Sequence, residues 1–258
     1  MPDAAELLAA YDTQMRPAEY ATPEAGITVE RDGPVVRMSG RYRGFISSPR
    51  DLGIDGDELD ALIARQRDFF AARGEAVEWK TCGHDRPLGL TDRLRAAGFV
   101  PEDQETIVIG TAAALAVEPP PIDGVTIRQV NTDADYERIA AMESAVWGLD
   151  LSWMAADLAS RRSYTTVFVA EADGEVVSAA WLAAKFGTEF AGLWGGSTLA
   201  AWRGRGIYRA LVAHRALLAV DLGIRYLQVD ASDDSRPILE RLGFTPVTTT
   251  TPYVWSPN

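Results

Sequence analysis

The segment AWRGRGIYRAL at 201–211 combines residue types that bind polyanions. Three arginines, Arg203, Arg205 and Arg209, lie within seven residues of a chain whose formal charge is −12. Gly204 and Gly206 can adopt positive φ angles and let a ligand approach the backbone closely. The segment follows a predicted strand and begins a predicted helix, so unpaired N–H groups and the helix dipole would favour an anion. We therefore predict a pyrophosphate site, the alternative being a glycine turn whose arginines extend into solvent.

The elements around this segment follow the order β-α-α-β-β-β-α-β-α-β. Apolar runs predict the strands, and Asp173-Gly174 is typical of a tight hairpin turn between two of them. Helical spacing of apolar residues predicts the helices, and Thr132 and Asp133 belong to a capping cluster. The predicted strands are 125–130, 165–172, 175–184, about 191–199, 224–230 and 246–255, and the predicted helices end near 147, 162, 222 and 242.

Residues 125–258 resemble the GNAT superfamily of N-acetyltransferases. The coenzyme-A motif of that family, Q/R-x-x-G-x-G/A, corresponds to Arg203-Gly204-Arg205-Gly206-Ile207-Tyr208, with Tyr208 in place of a small last residue. The sequence LERLGF at 239–244 and the order of elements fit the same family. The resemblance implies an α/β fold with a mixed sheet and direct transfer of acetyl from acetyl-coenzyme A to an amine. It also implies that the pyrophosphate binds the amides from Arg203 to Tyr208, and that the pantetheine arm pairs with Thr198 and Leu199.

The residues that many GNAT enzymes use as general base and general acid are missing. The strand before the motif, at 193–201, contains no Glu or Asp, and Leu239 occupies the position where a tyrosine is common. An alkylammonium with a pKa of about 10.4 must nevertheless lose a proton before it can attack. A replacement base is therefore expected elsewhere in the chain.

Four residues are our candidates for this chemistry. Asp230 ends a strand beside the expected cleft, and Glu143 lies in a helix expected to border the acceptor. Ser232 or Tyr208 could protonate the leaving thiolate, whose pKa of about 8.5 requires little help. The alternative for each carboxylate is a solvated surface group or a helix cap.

Five residues lie on elements expected to border the acceptor pocket. Aromatic rings could hold a cationic acceptor by cation–π attraction, the alternative being that each ring belongs to the core. The predicted acceptor-binding residues are Trp147, Trp153, Trp181, Trp194 and Glu189.

Three consecutive prolines in TAAALAVEPPPIDG at 111–124 predict a linker. We expect domains at 1–115 and 125–258, joined by residues 116–124. The first half repeats the order helix, strand, helix, Gly-Phe, strand, with its first helix at 56–74, so two related α/β halves in tandem are predicted. It has no glycine motif, which makes it a degenerate GNAT-like half.

The composition limits the classes of partner. The 37 acidic and 25 basic residues disfavour nucleic acid and anionic membrane surfaces, and they suit a cationic small molecule. A homodimer is compatible with the sequence. The single cysteine, Cys82, excludes an intramolecular disulfide, and its proximity to His84 is not enough for us to predict a metal site. The acidic start and the absence of a long apolar run lead us to expect a cytoplasmic, and from the arginine-rich composition a bacterial, protein.

The sequence therefore predicts an N-acetyltransferase that acts on a primary amine of a small, cationic molecule in a ternary complex. One alternative is acetylation of a protein amine or of an aminoglycoside-like antibiotic. Another is a non-catalytic sensor or scaffold that binds acyl-coenzyme A.

Overall fold

The computed structural model describes residues 2–18, 26–40, 43–119 and 121–257. The helices are α1 (Ala4–Ala10), α2 (Arg16–Ala18), α3 (Gly56–Arg73), α4 (Leu90–Ala96), α5 (Ala112–Leu115), α6 (Asp133–Trp147), α7 (Met154–Ser160), α8 (Ile207–Asp221) and α9 (Arg236–Leu242). The strands are β1 (Thr28–Asp32), β2 (Val35–Ser39), β3 (Arg43–Ser47), β4 (Ala76–Cys82), β5 (Val100–Pro101), β6 (Glu105–Thr111), β7 (Thr126–Val130), β8 (Thr165–Ala172), β9 (Glu175–Ala184), β10 (Phe190–Thr198), β11 (Tyr226–Ala231) and β12 (Thr245–Trp255). A π-helical turn covers Tyr11–Met15, and a 3-10 turn covers Ala200–Trp202. No helix among the described residues is both long and apolar enough to cross a membrane.

The chain forms two compact units. The first comprises Met1–Val108, Asp230–Ile238 and Thr245–Asn258, and the second comprises Ile109–Val229 and Leu239–Phe244. This grouping differs from the contiguous ranges 1–115 and 125–258 that the proline-rich segment suggested. The reason is that β12 pairs antiparallel with β4, from Thr250 opposite Cys82 to Trp255 opposite Val77.

In the first unit, strands β1, β2, β3, β4 and β12 lie side by side. The pairing of β3 with β4 is parallel, and the others are antiparallel. Asp55 caps the start of helix α3, where its carboxylate accepts the Gly56 N–H. Gly74, with a φ of 66°, caps its end. Its apolar face joins Trp79 of β4 and Phe99 in a buried core.

In the second unit, strands β7, β8, β9, β10 and β11 form a mixed sheet covered on both faces. The pairings are antiparallel as far as β10, and β10 pairs in parallel with β11. Alternate residues of β8 face opposite sides: Val167 packs with α6 and α7, whereas Phe168 packs with Ile207 and Leu211 of α8. Burial on both faces explains the continuous apolar runs of β8 and β9. The predicted α/β fold with a mixed sheet is confirmed.

A cluster of charges ties α6 to β7 and β8. Glu171 of β8 accepts hydrogen bonds from Arg128 at 2.7 and 2.9 Å and from Arg138 at 2.7 Å. These hydrogen bonds, chiefly those from Arg128, lower the pKa of Glu171 to about 2. The folded state therefore gains stability from this carboxylate above its ordinary pKa of 4.5, and loses it as the pH falls toward 2.

We expect Glu171→Gln to lower the free energy of unfolding at pH 7 by about 1–2 kcal/mol, a range discounted for the solvent exposure of the cluster. The variant should also lose less stability than the wild type between pH 4.5 and pH 2. Urea unfolding at several pH values measures both effects. Glu175→Gln, at an exposed position of the same hairpin, is the control, and equal losses in the two variants would contradict the prediction.

Candidate active site

Strand β10 separates from β11 before it ends. The two strands pair only from Phe190 opposite Tyr226 to Gly192 opposite Gln228, whereas β10 continues to Thr198. Within the described residues, 193–198 have no partner in β11. An unpaired strand edge offers N–H and C=O groups to an extended ligand. The last six residues of β10 therefore leave an open strand edge on the side of β11.

A bulge interrupts β10 next to this open edge. Gly195 pairs with Ala180 and Ser197 pairs with Ala179, so Gly196 is the extra residue. Gly195 and Gly196 have φ angles of 70° and 88°. A Cβ atom at Gly195 would lie 2.6 Å from the ring of Trp181, and one at Gly196 would lie 2.6 Å from the ring of Tyr208. Both positions therefore require glycine. The sequence analysis missed this bulge, although a glycine pair inside a strand pattern is its usual signal.

The turn before α8 has the geometry predicted for an anion site. Gly204 and Gly206 have φ angles of 76° and 87°, and residues 203–206 are exposed. Gly206 precedes the first helical residue and has no side chain to cap the helix. The first N–H groups of α8 therefore have no acceptor within the helix. Arg205 stacks on Trp202 at 4.4 Å from the ring centroid, which holds its charge beside the turn.

The two residues predicted to pair with a pantetheine arm differ in their backbone contacts. The N–H of Leu199 donates to Val177 at 2.9 Å, and its carbonyl accepts from Trp202 at 2.8 Å. Both groups of Leu199 are therefore used inside the protein. Because neighbouring residues of a strand point their backbone groups in opposite directions, the N–H of Thr198 faces away from β9. The carbonyl of Thr198 accepts from Nε of Arg203 at 3.0 Å.

Glu143 is a buried carboxyl group beside the bulged strand. Its side chain follows the inner face of α6, and only 2% of the residue is exposed. Trp147, one turn later, donates from Nε1 to Oε2 of Glu143 at 2.9 Å. Oε1 is buried and accepts no well-formed hydrogen bond from the described residues, and the side chain of Ser197 lies near the same carboxyl.

Burial raises the pKa of Glu143, and the hydrogen bonds from Ser197 and Trp147 oppose that rise in part. Burial destabilises the charged form of a carboxyl group, whereas hydrogen-bond donors stabilise it. A carboxyl group in this environment is suited to accept a proton from a substrate.

The four predicted tryptophans occupy different environments. Trp181 is buried against Gly195, so it belongs to the wall beneath the bulge. Trp194 is its register partner on β10 and is 40% exposed. Trp147 and Trp153, on either side of the link between α6 and α7, are more than half exposed. Three of the four rings are therefore open to solvent, and the ring of Trp181 belongs to the core.

Glu189 lies at the other end of β10 from the bulge. It pairs with Arg225 at 3.3 Å, and its carbonyl accepts the N–H groups of Arg225 and Tyr226. At about 3.3 Å per residue, the strand separates Glu189 from Ser197 by more than ~20 Å. The structure therefore does not bring Glu189 to the candidate site, because β10 runs its full length between them.

Asp230 and Ser232 group with the first unit. Oδ2 of Asp230 accepts from Nζ of Lys80 at 2.6 Å, so the charge of Asp230 is already paired. Burial, followed by the negative charge of Asp230, raises the pKa of the nearby Glu105 to about 7. Ser232 is exposed, and its carbonyl accepts the N–H of Arg236 at the start of α9. The carboxylate of Asp230 is thus already ion-paired, whereas Glu143 has a buried oxygen without a well-formed hydrogen bond from the described residues. Glu143 is therefore the stronger candidate for a base.

Leu239 and Tyr208 differ in what they offer as proton donors. Leu239 is fully buried in the second unit. Tyr208 packs its ring on the bulge, burial raises the pKa of its hydroxyl, and the charge of Arg215 opposes that rise. Arg215 is a residue that sequence reasoning missed, because its position on α8 is typical of an apolar side chain.

Cys82, His84 and Asp85 lie together in the first unit, with their potential ligand atoms within 4.8 Å of one another. Asp85 accepts hydrogen bonds from Nη2 of Arg16 at 2.7 and 2.9 Å. Nε2 of His84 lies 3.0 Å from both carboxylate oxygens of Asp12. These groups therefore form an ion-pair and hydrogen-bond network, and Arg16 brings positive charge to the place where a metal cation would bind.

Residues 130–244 match the model of the acetyltransferase (GNAT) family. The matched segment includes the open edge of β10, the bulge and the start of α8, so this part of the chain is similar to GNAT acetyltransferases. This similarity indicates an acyltransferase. Members of the GNAT family use acetyl-coenzyme A.

Several solved structures resemble the whole chain in fold. A GCN5-related N-acetyltransferase from Kribbella flavida has a TM-score of 0.73 at 19% identity and covers 100% of this chain and 97% of its own. A tandem GNAT protein from the clavulanic acid biosynthesis pathway has a TM-score of 0.65 at 14% identity, covering 93% and 86%. A GCN5-related N-acetyltransferase from Sphaerobacter thermophilus has a TM-score of 0.65 at 13% identity, covering 98% and 91%. No curated protein matches by sequence.

Proposed function

We propose that the protein transfers an acetyl group from acetyl-coenzyme A to a primary amine of a small, cationic molecule. The observation that carries the proposal is the arrangement of the GNAT segment between Gly196 and Tyr208. An unpaired strand edge, a bulge and an uncapped helix start follow one another along the chain. Such an arrangement can hold an extended ligand that ends in an anionic group.

The residues of this segment fit acetyl-coenzyme A. The backbone from Gly204 to Tyr208 would bind the pyrophosphate, and Arg203, Arg205 and Arg209 would add positive charge. The unpaired edge of β10, including the N–H of Thr198, would bind the pantetheine arm. The bound coenzyme supplies a thioester whose carbonyl carbon is open to attack.

Glu143 acts as the base in this proposal. Its carboxylate accepts a proton from the ammonium form of the acceptor, which frees the nitrogen lone pair. The nitrogen forms a bond to the carbonyl carbon, the C–S bond breaks, and its electron pair leaves on sulfur. Tyr208 lies at the bulge and donates a proton to that sulfur. The nitrogen, which still carries one proton more than an amide, returns that proton to the Tyr208 phenolate, and Glu143 releases its proton to solvent. The products are an amide and a thiol.

The exposed tryptophans define the acceptor that we propose. Trp147 is anchored to Glu143 by its indole N–H and presents its ring to solvent. Trp153 and Trp194 add further exposed aromatic surface, which suits a cation flanked by apolar groups. The acidic chain, with its net charge of −12, favours the approach of such a molecule. We propose that the first unit is a GNAT-like relative that lost the glycine motif.

Incubation with acetyl-coenzyme A and a mixed amine library tests the proposal. Free thiol is followed by a colorimetric reagent, and products are identified by mass spectrometry. The library contains small amines, an aminoglycoside and a lysine-bearing peptide, so it also separates the possible acceptor classes. Release of thiol with an N-acetylated small amine is the expected result. Coenzyme binding without thiol release from any amine would instead indicate an acyl-coenzyme-A sensor.

A further inference from the structure

Arg215 is a fully buried arginine in the middle of α8. Only 2% of the residue is exposed. The other buried arginine among the described residues, Arg16, is neutralised by Asp85 at 2.7 Å. No carboxylate among the described residues forms an ion pair with Arg215. Within the described part of the chain, its positive charge is therefore stabilised mainly by the dipoles of backbone carbonyls.

These carbonyls belong to the two strands that flank the bulge. Nη1 of Arg215 donates to the carbonyl of Trp181 on β9 at 3.3 Å and to that of Trp194 on β10 at 3.2 Å. Trp181 and Trp194 are register partners, and the bulge begins at the next residue of β10. Nε donates to the carbonyl of Leu211, which fixes the guanidinium relative to α8. Arg215 thus joins α8, β9 and β10 at the base of the bulge.

Stability alone does not account for an arginine at this position. Burial lowers the pKa of Arg215 to about 10, so the group remains charged at neutral pH. A buried charge without a counter-ion is unfavourable, and apolar side chains of similar size in such sites are often at least as stable. Local departures from stable packing are typical of functional sites.

We propose that Arg215 is a positioning residue for acetyl transfer, because its guanidinium braces β9 and β10 and so fixes the Gly195–Gly196 bulge. The inference rests on the proposed function. The bulge sets the position of Ser197, which lies near Glu143, and of the backbone against which Tyr208 packs. A loosened bulge would leave pyrophosphate binding at the start of α8 intact while misaligning the reacting groups.

The test compares Arg215→Met with Arg225→Met, the same replacement at an exposed arginine at the far end of β10. We expect Arg215→Met to lower kcat about 10- to 100-fold, because small misplacements of reacting groups have effects of this size. The Kd for ADP, which presents a pyrophosphate without a pantetheine arm, should change less than about twofold, and the Tm should stay equal or rise. Arg225→Met should match the wild type in all three measurements.

Hydrogen exchange measured by mass spectrometry tests whether Arg215 holds β9 and β10 in place, and it does not depend on enzymatic activity. In Arg215→Met, peptides covering 193–199 should exchange at least about tenfold faster, with the other strands unchanged. If the wild type acetylates no amine but this local change appears, Arg215 still fixes the bulge of β10, and only the proposed function fails. A wild-type kcat, or unchanged exchange at 193–199, would overturn the inference. So would a lower Tm with faster exchange throughout the second unit, which indicates a merely structural role.

Discussion

Replacement of Glu143 by glutamine should lower kcat for amine acetylation about 10²- to 10³-fold, the usual contribution of a positioned general base. The amide keeps the size of the side chain and can still accept the hydrogen bond from Trp147. The pocket should therefore keep its shape, and only the ability to take a proton is lost. Steady-state kinetics with the amine found in the library screen measures the effect.

The pH dependence of kcat/KM is an independent test of Glu143 as the base. A base must be deprotonated, and burial raises the pKa of this carboxyl group. The acid side of the kcat/KM profile should therefore fall at a higher pH than for an exposed glutamate, whose pKa is about 4.3. In Glu143→Gln this fall should vanish. Glu137→Gln, on the exposed face of the same helix, is the control and should keep the wild-type profile.

An unchanged kcat in Glu143→Gln would exclude Glu143 as the base. Activity lost equally in the Glu137 and Glu143 variants would show that α6 is merely sensitive to substitution. The proposed role requires that Glu143→Gln loses activity while Glu137→Gln keeps it. It also requires that the fall of kcat/KM at low pH is absent in Glu143→Gln.

Gly206→Val should weaken the binding of acetyl-coenzyme A about 10- to 100-fold. Gly206 has a φ of 87°, a conformation that valine strongly disfavours. The substituted turn would relax and rotate the N–H groups at the start of α8 away from the pyrophosphate. Coenzyme binding must then return the turn to its native conformation, which costs about 1–3 kcal/mol in the valine variant. This cost corresponds to the expected change in Kd. Isothermal titration calorimetry measures that Kd.

Gly223→Val is the matched control. Gly223 follows α8, has a φ of 71°, and like Gly206 has no atom within 4 Å of the position that a Cβ atom would take. The same replacement therefore introduces similar backbone strain at the opposite end of the same helix. Gly223→Val should lose stability yet keep the Kd of the wild type. Equal Kd values in the two variants would remove the start of α8 from the coenzyme site.

The turn before α8 and most elements of the second unit were predictable because their signals are local. Glycines and arginines mark the turn before α8, and apolar runs mark β8 and β9, which are buried on both faces. Strand β1 escaped prediction because its sequence TVERD is rich in charge and mostly exposed. Its neighbours β2 and β3 are short, so they carry little periodicity.

The catalytic candidates were harder to rank because their environments depend on distant residues. Asp230 ends a strand, as predicted, but its partner Lys80 lies 150 positions earlier in the chain. Glu143 looked like an ordinary helix carboxylate, and only the fold shows that it faces inward beside Ser197. Arg215 has no local signal, since its partners are backbone carbonyls of two other elements.

The pairing of β12 with β4 affects how the protein folds during its synthesis. Cys82 pairs with Thr250, which is the 168th residue to be translated after it. At about 5–20 residues per second, one edge of β4 stays unpaired for roughly 10–30 s. An unpaired strand edge is a template for aggregation. The nascent first unit is therefore the part of the chain that we expect chaperones to protect while the second unit emerges from the ribosome.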